Sequence, residues 1–262
     1  MLETCALLVA VVAAARGTWS PCGLSMVSSI NPFSEAGRGH RYAVTCSWFL
    51  VGALIGGLAL GGLSAGLALV IGGLPLWVGG VAALVGLAGD LRLVRLPVHP
   101  RQVDEDWLRT YRPWVYGIGF GAQIGAGLAT YVMTAATYLL VVLAAMSGSP
   151  VTALLTGATF GLVRGLAVLL GRTARTPADL RALHRALERW APTSLRVAMA
   201  VQLAVAAVLG GPVALGAAVV IVLLGRRRAV LVGQVPLEPA ADLVGRQGAA
   251  QPPALSPVAA HR

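Results

Sequence analysis

The stretch from Tyr42 to Ile71 reads YAVTCSWFLVGALIGGLALGGLSAGLALVI and contains no Asp, Glu, Lys or Arg. About 20 residues of helix cross the hydrocarbon core of a bilayer. Charged residues are absent from the whole of 42–89 and again from 115–163. The 262-residue chain is 57% hydrophobic and 11% charged, whereas soluble domains average about 25% charged residues. The sequence therefore predicts an all-α, multi-pass membrane protein. It argues against a soluble enzyme, a nucleic-acid-binding domain or a disulfide-rich secreted domain.

Six apolar segments follow one another along the chain, at about 2–33, 42–71, 76–91, 114–146, 150–171 and 195–225. The last segment is divided by Gly210-Gly211-Pro212, so it is either one broken span or a hairpin of two short spans. We expect six to seven membrane helices and favour seven. The transmembrane domain is predicted to cover 1–228. The Pro-, Ala- and Gln-rich tail from 229 to 262 is predicted to be disordered and cytoplasmic.

The net charge of +10 comes from arginine, because the chain has no lysine. The arginines cluster in alternate connections, at 38–41, 92–112 and 172–196. Basic connections of membrane proteins stay on the cytoplasmic side, which predicts an inner (plasma) membrane protein with its N-terminus outside. The charge thus points to the lipid bilayer as partner and not to nucleic acid. Within these connections, 103–108 and 177–190 are predicted to form short helices at the membrane surface.

Glycines recur through the second apolar segment at small-xxx-small spacing, which lets membrane helices approach closely. They are Gly52, Gly56, Gly57, Gly61, Gly62 and Gly66. The first and fourth segments are both interrupted, at Pro21 and near Gly125. This parallel predicts an inverted repeat of three-helix units, over about 2–91 and 114–210, with broken first helices.

The triplet Ser20-Pro21-Cys22 in a first membrane helix, followed by a basic loop, resembles the CcdA/DsbD transmembrane family. The resemblance implies an inverted repeat of three helices and electron transfer from cytoplasmic thioredoxin across the membrane. It also implies a pair of Pro-adjacent cysteines, one in each repeat. Here the second position falls at about Ala126, and no cysteine follows Cys46. The chain is therefore interpreted as a divergent relative without the classical dithiol relay.

The candidate catalytic residue is Cys22, because a thiolate is favoured at a helix N-terminus. Arg16 and Arg164 are predicted to lie well inside apolar segments, where a charge is a functional-site candidate. The spans offer no acid to pair with them, so an anion is the expected partner. A possible anion or substrate pocket is predicted from Arg16, Pro21, Gln123, Thr130 and Arg164. No cofactor and no metal site are predicted.

Three functions remain open at this point, and an enzymatic role is disfavoured. The first is thiol-disulfide exchange with a thioredoxin-like protein. The second is transport of a small anion or metabolite on the same scaffold. The third is a non-catalytic membrane subunit that binds a partner through its glycine-rich helices.

Overall fold

The computed structural model describes residues 1–71, 73–95, 110–128 and 132–233, which form helices and connections without a strand. Two 3₁₀ segments, Gly17–Trp19 and Ala167–Thr173, accompany the α-helices. The α-helices are α1 Leu2–Arg16, α2 Pro21–Ser29, α3 Pro32–Gly37, α4 Tyr42–Ile71, α5 Leu76–Asp90, α6 Pro113–Ala126, α7 Ala136–Met146, α8 Pro150–Leu166 and α9 Pro177–Gly233. The predicted surface helix at 103–108 and the tail from 234 onward lie outside the described residues.

Four helical stretches are long and apolar enough to cross a membrane: Leu2–Trp19, Tyr42–Ile71, Pro150–Thr173 and Pro177–Gly225. The apolar helices α5 and α7 are shorter. Much of the apolar surface of the long helices is exposed, as at Leu69 (75%) and Val213 (83%), as expected of residues that face lipid. The predicted all-α class with apolar, membrane-type helices is therefore confirmed.

Helix α4 packs with its backbone against the backbones of α6 and α8. A Cβ atom placed on Gly52 would lie 2.2 Å from the carbonyl oxygen of Ile118, and one on Gly57 would lie 2.4 Å from that of Gly157. Only a residue without a side chain fits such an approach. The predicted close-packing face is confirmed at Gly52, Gly56, Gly57 and Gly61. It is wrong at Gly62 and Gly66, where a Cβ would meet no atom within 4 Å, because these two glycines lie on the opposite side of the helix.

Two of the predicted helix interruptions are visible in the backbone. Helix α1 gives way to a 3₁₀ turn, then Ser20 is extended and α2 begins at Pro21. The Ser20 hydroxyl accepts a hydrogen bond from the Gly23 N–H at 3.1 Å and so caps α2. Helix α6 ends at Gly127, whose φ of 67° is a left-handed value that glycine adopts at little cost.

The predicted surface helix at 177–190 and the last apolar segment at 195–225 belong to one continuous helix, which corrects their separation in the sequence analysis. Pro192 lies inside α9 without breaking it. Proline leaves one backbone carbonyl of the preceding turn unbonded, and Pro192 is exposed, so this side of the helix is open to the surroundings. The backbone leaves helical geometry at Gly211, with φ 66° and ψ −162°, where the Gly-Gly-Pro sequence predicted a break.

Candidate functional site

A half-buried carboxylate, Asp90, accepts hydrogen bonds from buried donors and joins three helices. Asp90, the last residue of α5, accepts hydrogen bonds at Oδ2 from Thr134 Oγ1 and from Gln202 Nε2, both at 2.6 Å. Its Oδ1 accepts the Ala135 backbone N–H at 2.8 Å. We call Asp90, Thr134, Ala135 and Gln202 the Asp90 cluster. Because Ala135 is the N-cap of α7, the carboxylate caps that helix from outside its own chain segment, where the helix dipole favours a negative charge.

Gln202 brings α9 into the Asp90 cluster. Its side chain is completely buried, and the bond to Asp90 fixes which end of the amide carries Nε2. Oε1 therefore points away from Asp90 and has no hydrogen-bond partner among the described residues. A Cβ atom on Gly86 would lie 2.6 Å from this oxygen. The glycine in α5 is thus the residue that admits the glutamine side chain.

Arg16 ends α1 and is only 6% exposed. Its Nη1 donates hydrogen bonds to Ser194 Oγ at 2.9 Å and to the Ala191 carbonyl at 3.4 Å, both on α9. Among the described residues, no carboxylate lies within 4.0 Å of this guanidinium. The expectation that the apolar segments offer no acid to pair with Arg16 stays a prediction. Asp90 is linked to Arg16 only indirectly, because α9 contacts both residues.

Arg164 and Phe160 of α8 fill the two helix breaks. The Arg164 guanidinium packs on Gly17, where a Cβ would lie 2.9 Å from Cζ. The Phe160 ring packs on Gly127, where a Cβ would lie 2.6 Å from the ring. The guanidinium also lies 5.7 Å from the Phe160 ring centroid. Since residues four apart share one face of a helix, the same face of α8 contacts the α1–α2 break and the end of α6.

The structure brings some of the predicted site residues together and separates others. Arg16 and Arg164 meet at the same break, since Arg164 contacts the residue that follows Arg16. Cys22 is 2% exposed, lies in an apolar cluster and is within range of the Arg164 charge. Pro21 is exposed on α2, and Gln123 is half-buried on α6. Thr130 lies outside the described residues.

A second hydrogen-bonded carboxylate, which the sequence did not predict, lies at Glu35 of α3. The side chain is completely buried. It accepts hydrogen bonds from Thr45 Oγ1 at 2.5 Å, from Tyr116 OH at 2.9 Å and from Arg38 Nη1 at 2.9 Å. These four residues form the Glu35 cluster, which ties α3 to α4 and α6. Each carboxylate oxygen has a charged or hydroxyl donor, as a buried carboxylate requires.

The sequence carried a signal for the Glu35 cluster. The first apolar segment, at about 2–33, ends just after Asn31-Pro32. In the structure Asn31 caps a new helix, with its Oδ1 accepting the Ser34 N–H at 2.9 Å. Asn followed by Pro at the first helical position is a typical helix start, and it places Glu35 in the first turn. What no pattern could show is that Tyr116 would lie over it.

Both clusters hold a hydrogen-bonded carboxylate, which is completely buried at Glu35 and half-buried at Asp90. Among the described residues, no three His, Cys, Asp or Glu side chains are grouped so as to hold a metal ion. The described cysteines, Cys5, Cys22 and Cys46, are not joined in disulfides.

Comparison with known proteins supplies the remaining information. No protein-family model matches the chain, and no solved structure matches it. The chain is similar to methylamine utilization protein MauF of Paracoccus denitrificans. The two are 34% identical over 170 residues, which is 61% of this chain and 60% of the relative. The protein of the same name from Paracoccus versutus is 34% identical over 176 residues, or 62% and 64% of the two chains. That from Methylophilus methylotrophus is 29% identical over 203 residues, or 72% and 69%.

The chain thus spans less than two thirds of the length of the two Paracoccus relatives. These similarities overturn the resemblance to the CcdA/DsbD family, which rested on three residues and is wrong. The predicted electron-transfer function and the transporter alternative fall with it, as does any cytochrome c biogenesis or thiol-disulfide role, because the relatives carry a different name. A proline before a buried cysteine also occurs where, as here, serine caps a helix and proline opens it.

Proposed function

We propose that this chain is a membrane component of methylamine utilization. The observation that carries the proposal is the 34% identity over 170 residues to a protein named for that role. The apolar helices support a place in the membrane, since four of them have the length and composition of spans.

Growth on methylamine tests the proposal. Deletion of the gene from its source organism should abolish or slow growth on methylamine and leave growth on succinate unchanged. A plasmid copy should restore growth on methylamine. Equal growth of the deleted and parent strains on methylamine would contradict the proposal.

We propose further that this role depends on the polar interior formed by Arg16 and the Asp90 cluster. The support is that these residues connect the ends of α1, α5 and α7 to α9. Plasmids carrying Arg16→Gln or Asp90→Ala should restore growth poorly, while Asp179→Asn, at an exposed helix start, should restore it fully. Normal growth with both Arg16→Gln and Asp90→Ala, at normal protein levels, would contradict a functional role for these interior residues.

The arrangement in the membrane is also a proposal. We infer six to seven spans within 1–228 and two inverted three-helix units. We also place the chain in the inner membrane, with the N-terminus outside and the tail in the cytoplasm. The alternation of arginine-rich connections supports the orientation. The breaks before Pro21 and at Gly127 support the repeat, because both are filled from the same face of α8.

Reporter fusions test this topology. Alkaline phosphatase, which is active only outside the cytoplasm, should be inactive when fused near residues 38, 101 and 181 and after 228. Activity at any of the first three positions would overturn the orientation. Phosphatase activity only in the fusion after residue 228 would indicate six spans instead of seven.

A further inference from the structure

The N-terminal part of α9 has one face that is fixed to the protein. The Trp19 indole Nε1 donates a 2.7 Å hydrogen bond to the Leu187 carbonyl. Ser28 Oγ and His184 Nε2 lie 3.1 Å apart. Leu187 itself is only 7% exposed. These contacts with the α1–α2 break hold this part of α9 in one rotational setting, so its opposite face is held outward.

That outward face is basic. Arg181, Arg185 and Arg189 are all exposed and follow one another at four-residue spacing, about 6 Å along the axis. Residues 175–196 contain five arginines against two acidic residues. Of these acids, Asp179 accepts the backbone N–H of Arg175 and Thr176. Among the described residues, no acidic side chain lies within 4.0 Å of the Arg185 or Arg189 guanidinium. The guanidinium groups of Arg185 and Arg189 therefore keep their charge available.

A shallow, open cleft lies on this face of α9, beside two of these arginines. It has a volume of about 650 Å³ and is lined by Ala182, Arg185, Glu188 and Arg189. Two guanidinium groups on one wall can bind the oxygens of a phosphate, to which arginine donates in a fork. Glu188 is the one acid of this lining, and its charge works against an anion there.

Helix α9 becomes apolar after Trp190. The start of this apolar part indicates how far the cleft lies from the hydrocarbon core of the membrane. Trp190 is 62% exposed, and the exposed side chains from Val197 (48%) to Val208 (51%) are apolar. Exposed tryptophan is typical of the boundary between headgroups and hydrocarbon. Arg189 precedes Val197 by eight positions, about 12 Å of helix. The thickness of the headgroup layer and the length of an arginine side chain together span that distance.

We propose that the Arg185–Arg189 cleft binds the phosphate headgroup of an anionic phospholipid of the surrounding bilayer. The proposal rests on the membrane insertion proposed above, and it is independent of the role in methylamine utilization. The negative surface of a membrane attracts each nearby arginine, which corresponds to about a fivefold gain in affinity for each residue.

Native mass spectrometry of the purified full-length chain in detergent tests this site. Phosphatidylglycerol should bind more tightly than phosphatidylcholine, and 0.5 M ammonium acetate should weaken only the former. The variant Arg185→Gln/Arg189→Gln should bind phosphatidylglycerol about twentyfold more weakly. The matched control Arg41→Gln/Arg172→Gln removes two other exposed arginines and should stay within about twofold of the parent.

A second variant keeps the test decisive if the double variant folds poorly. Glu188→Gln removes the acid from the cleft and should tighten phosphatidylglycerol binding. Equal losses in the two double variants would mean diffuse attraction and would overturn the site, as would weaker binding by Glu188→Gln. A glutamate-rich peptide that binds more tightly than phosphatidylglycerol and displaces it would assign the face to an acidic protein, which also overturns the proposal.

Discussion

Substitution of Asp90 measures what the Asp90 cluster contributes to stability. In Asp90→Ala the hydroxyl of Thr134, the N–H of Ala135 and the amide of Gln202 all lose their acceptor. Each buried donor left unsatisfied costs about 1–3 kcal/mol. Because Asp90 is half-buried and the three donors can relax together, we expect a loss of about 2–4 kcal/mol in the free energy of unfolding.

The isosteric variant Asp90→Asn separates charge from hydrogen bonding. An asparagine can still accept from Ala135, and rotation of the Gln202 amide would let Oε1 accept from the new amide. The rotation pairs Oε1, which has no partner among the described residues, but it moves Nε2 to the position that lacks one. The N-terminus of α7 also loses the negative charge that its dipole favours, so we expect a smaller loss than in Asp90→Ala, about 1–2 kcal/mol.

The assay is unfolding of the purified protein by increasing mole fractions of SDS, followed by circular dichroism. The matched control is Asp179→Asn, where the carboxylate also accepts backbone N–H groups at a helix start but is exposed. Asparagine caps helices about as well as aspartate, so this variant should change stability by less than about 1 kcal/mol. If Asp90→Asn costs no more than Asp179→Asn, the reasoning about the Asp90 carboxylate is refuted.

Three further predictions use the same assay. Gly56→Ala puts a Cβ 2.1 Å from a carbonyl oxygen of α6 and should lower the free energy of unfolding by about 1–3 kcal/mol. Gly62→Ala, on the open side of α4, should be neutral or slightly stabilising. Equal effects of the two variants would refute the backbone contact. Glu35→Gln should cost about 1–3 kcal/mol, since its amide nitrogen cannot accept from the hydroxyl donors of the Glu35 cluster; an unchanged unfolding midpoint would contradict that network. Phe160→Ala empties the space over the α6 end and should cost about 3–5 kcal/mol, far more than Phe33→Ala, which removes a side chain that is 43% exposed; similar losses would show that this ring does not pack as described.

The sequence by itself determined the class of the protein and the bounds of two helices. Charge-free apolar stretches on either side of the Gly72-Gly73-Leu74-Pro75 sequence predict α4 and α5 to within a residue. The breaks before Pro21 and at Gly211 were also predictable, because proline and consecutive glycines act through the local backbone. These helix breaks depend on residues that are adjacent in the chain, and the sequence shows those residues directly.

The family resemblance shows the limit of a short motif. Ser20-Pro21-Cys22 fits the start of a capped helix as well as it fits a redox site, and in the structure Ser20 caps α2. Similarity spread over 170 residues, to proteins of another name, carries far more information than three adjacent residues.

Only the tertiary structure decided which glycines of α4 pack and which charges meet. Gly57 and Gly62 have the same chemistry, but Gly57 faces α8 and Gly62 faces no other atom within 4 Å. Asp90 and Glu35 each stand in the sequence near polar residues, yet their partners Gln202 and Tyr116 lie far along the chain. Burying a carboxylate is costly unless donors surround it, and those donors come from helices whose rotation is set by packing over their whole length. A local sequence pattern does not show how a helix is rotated against its neighbours. The two clusters are therefore visible only in the assembled tertiary structure.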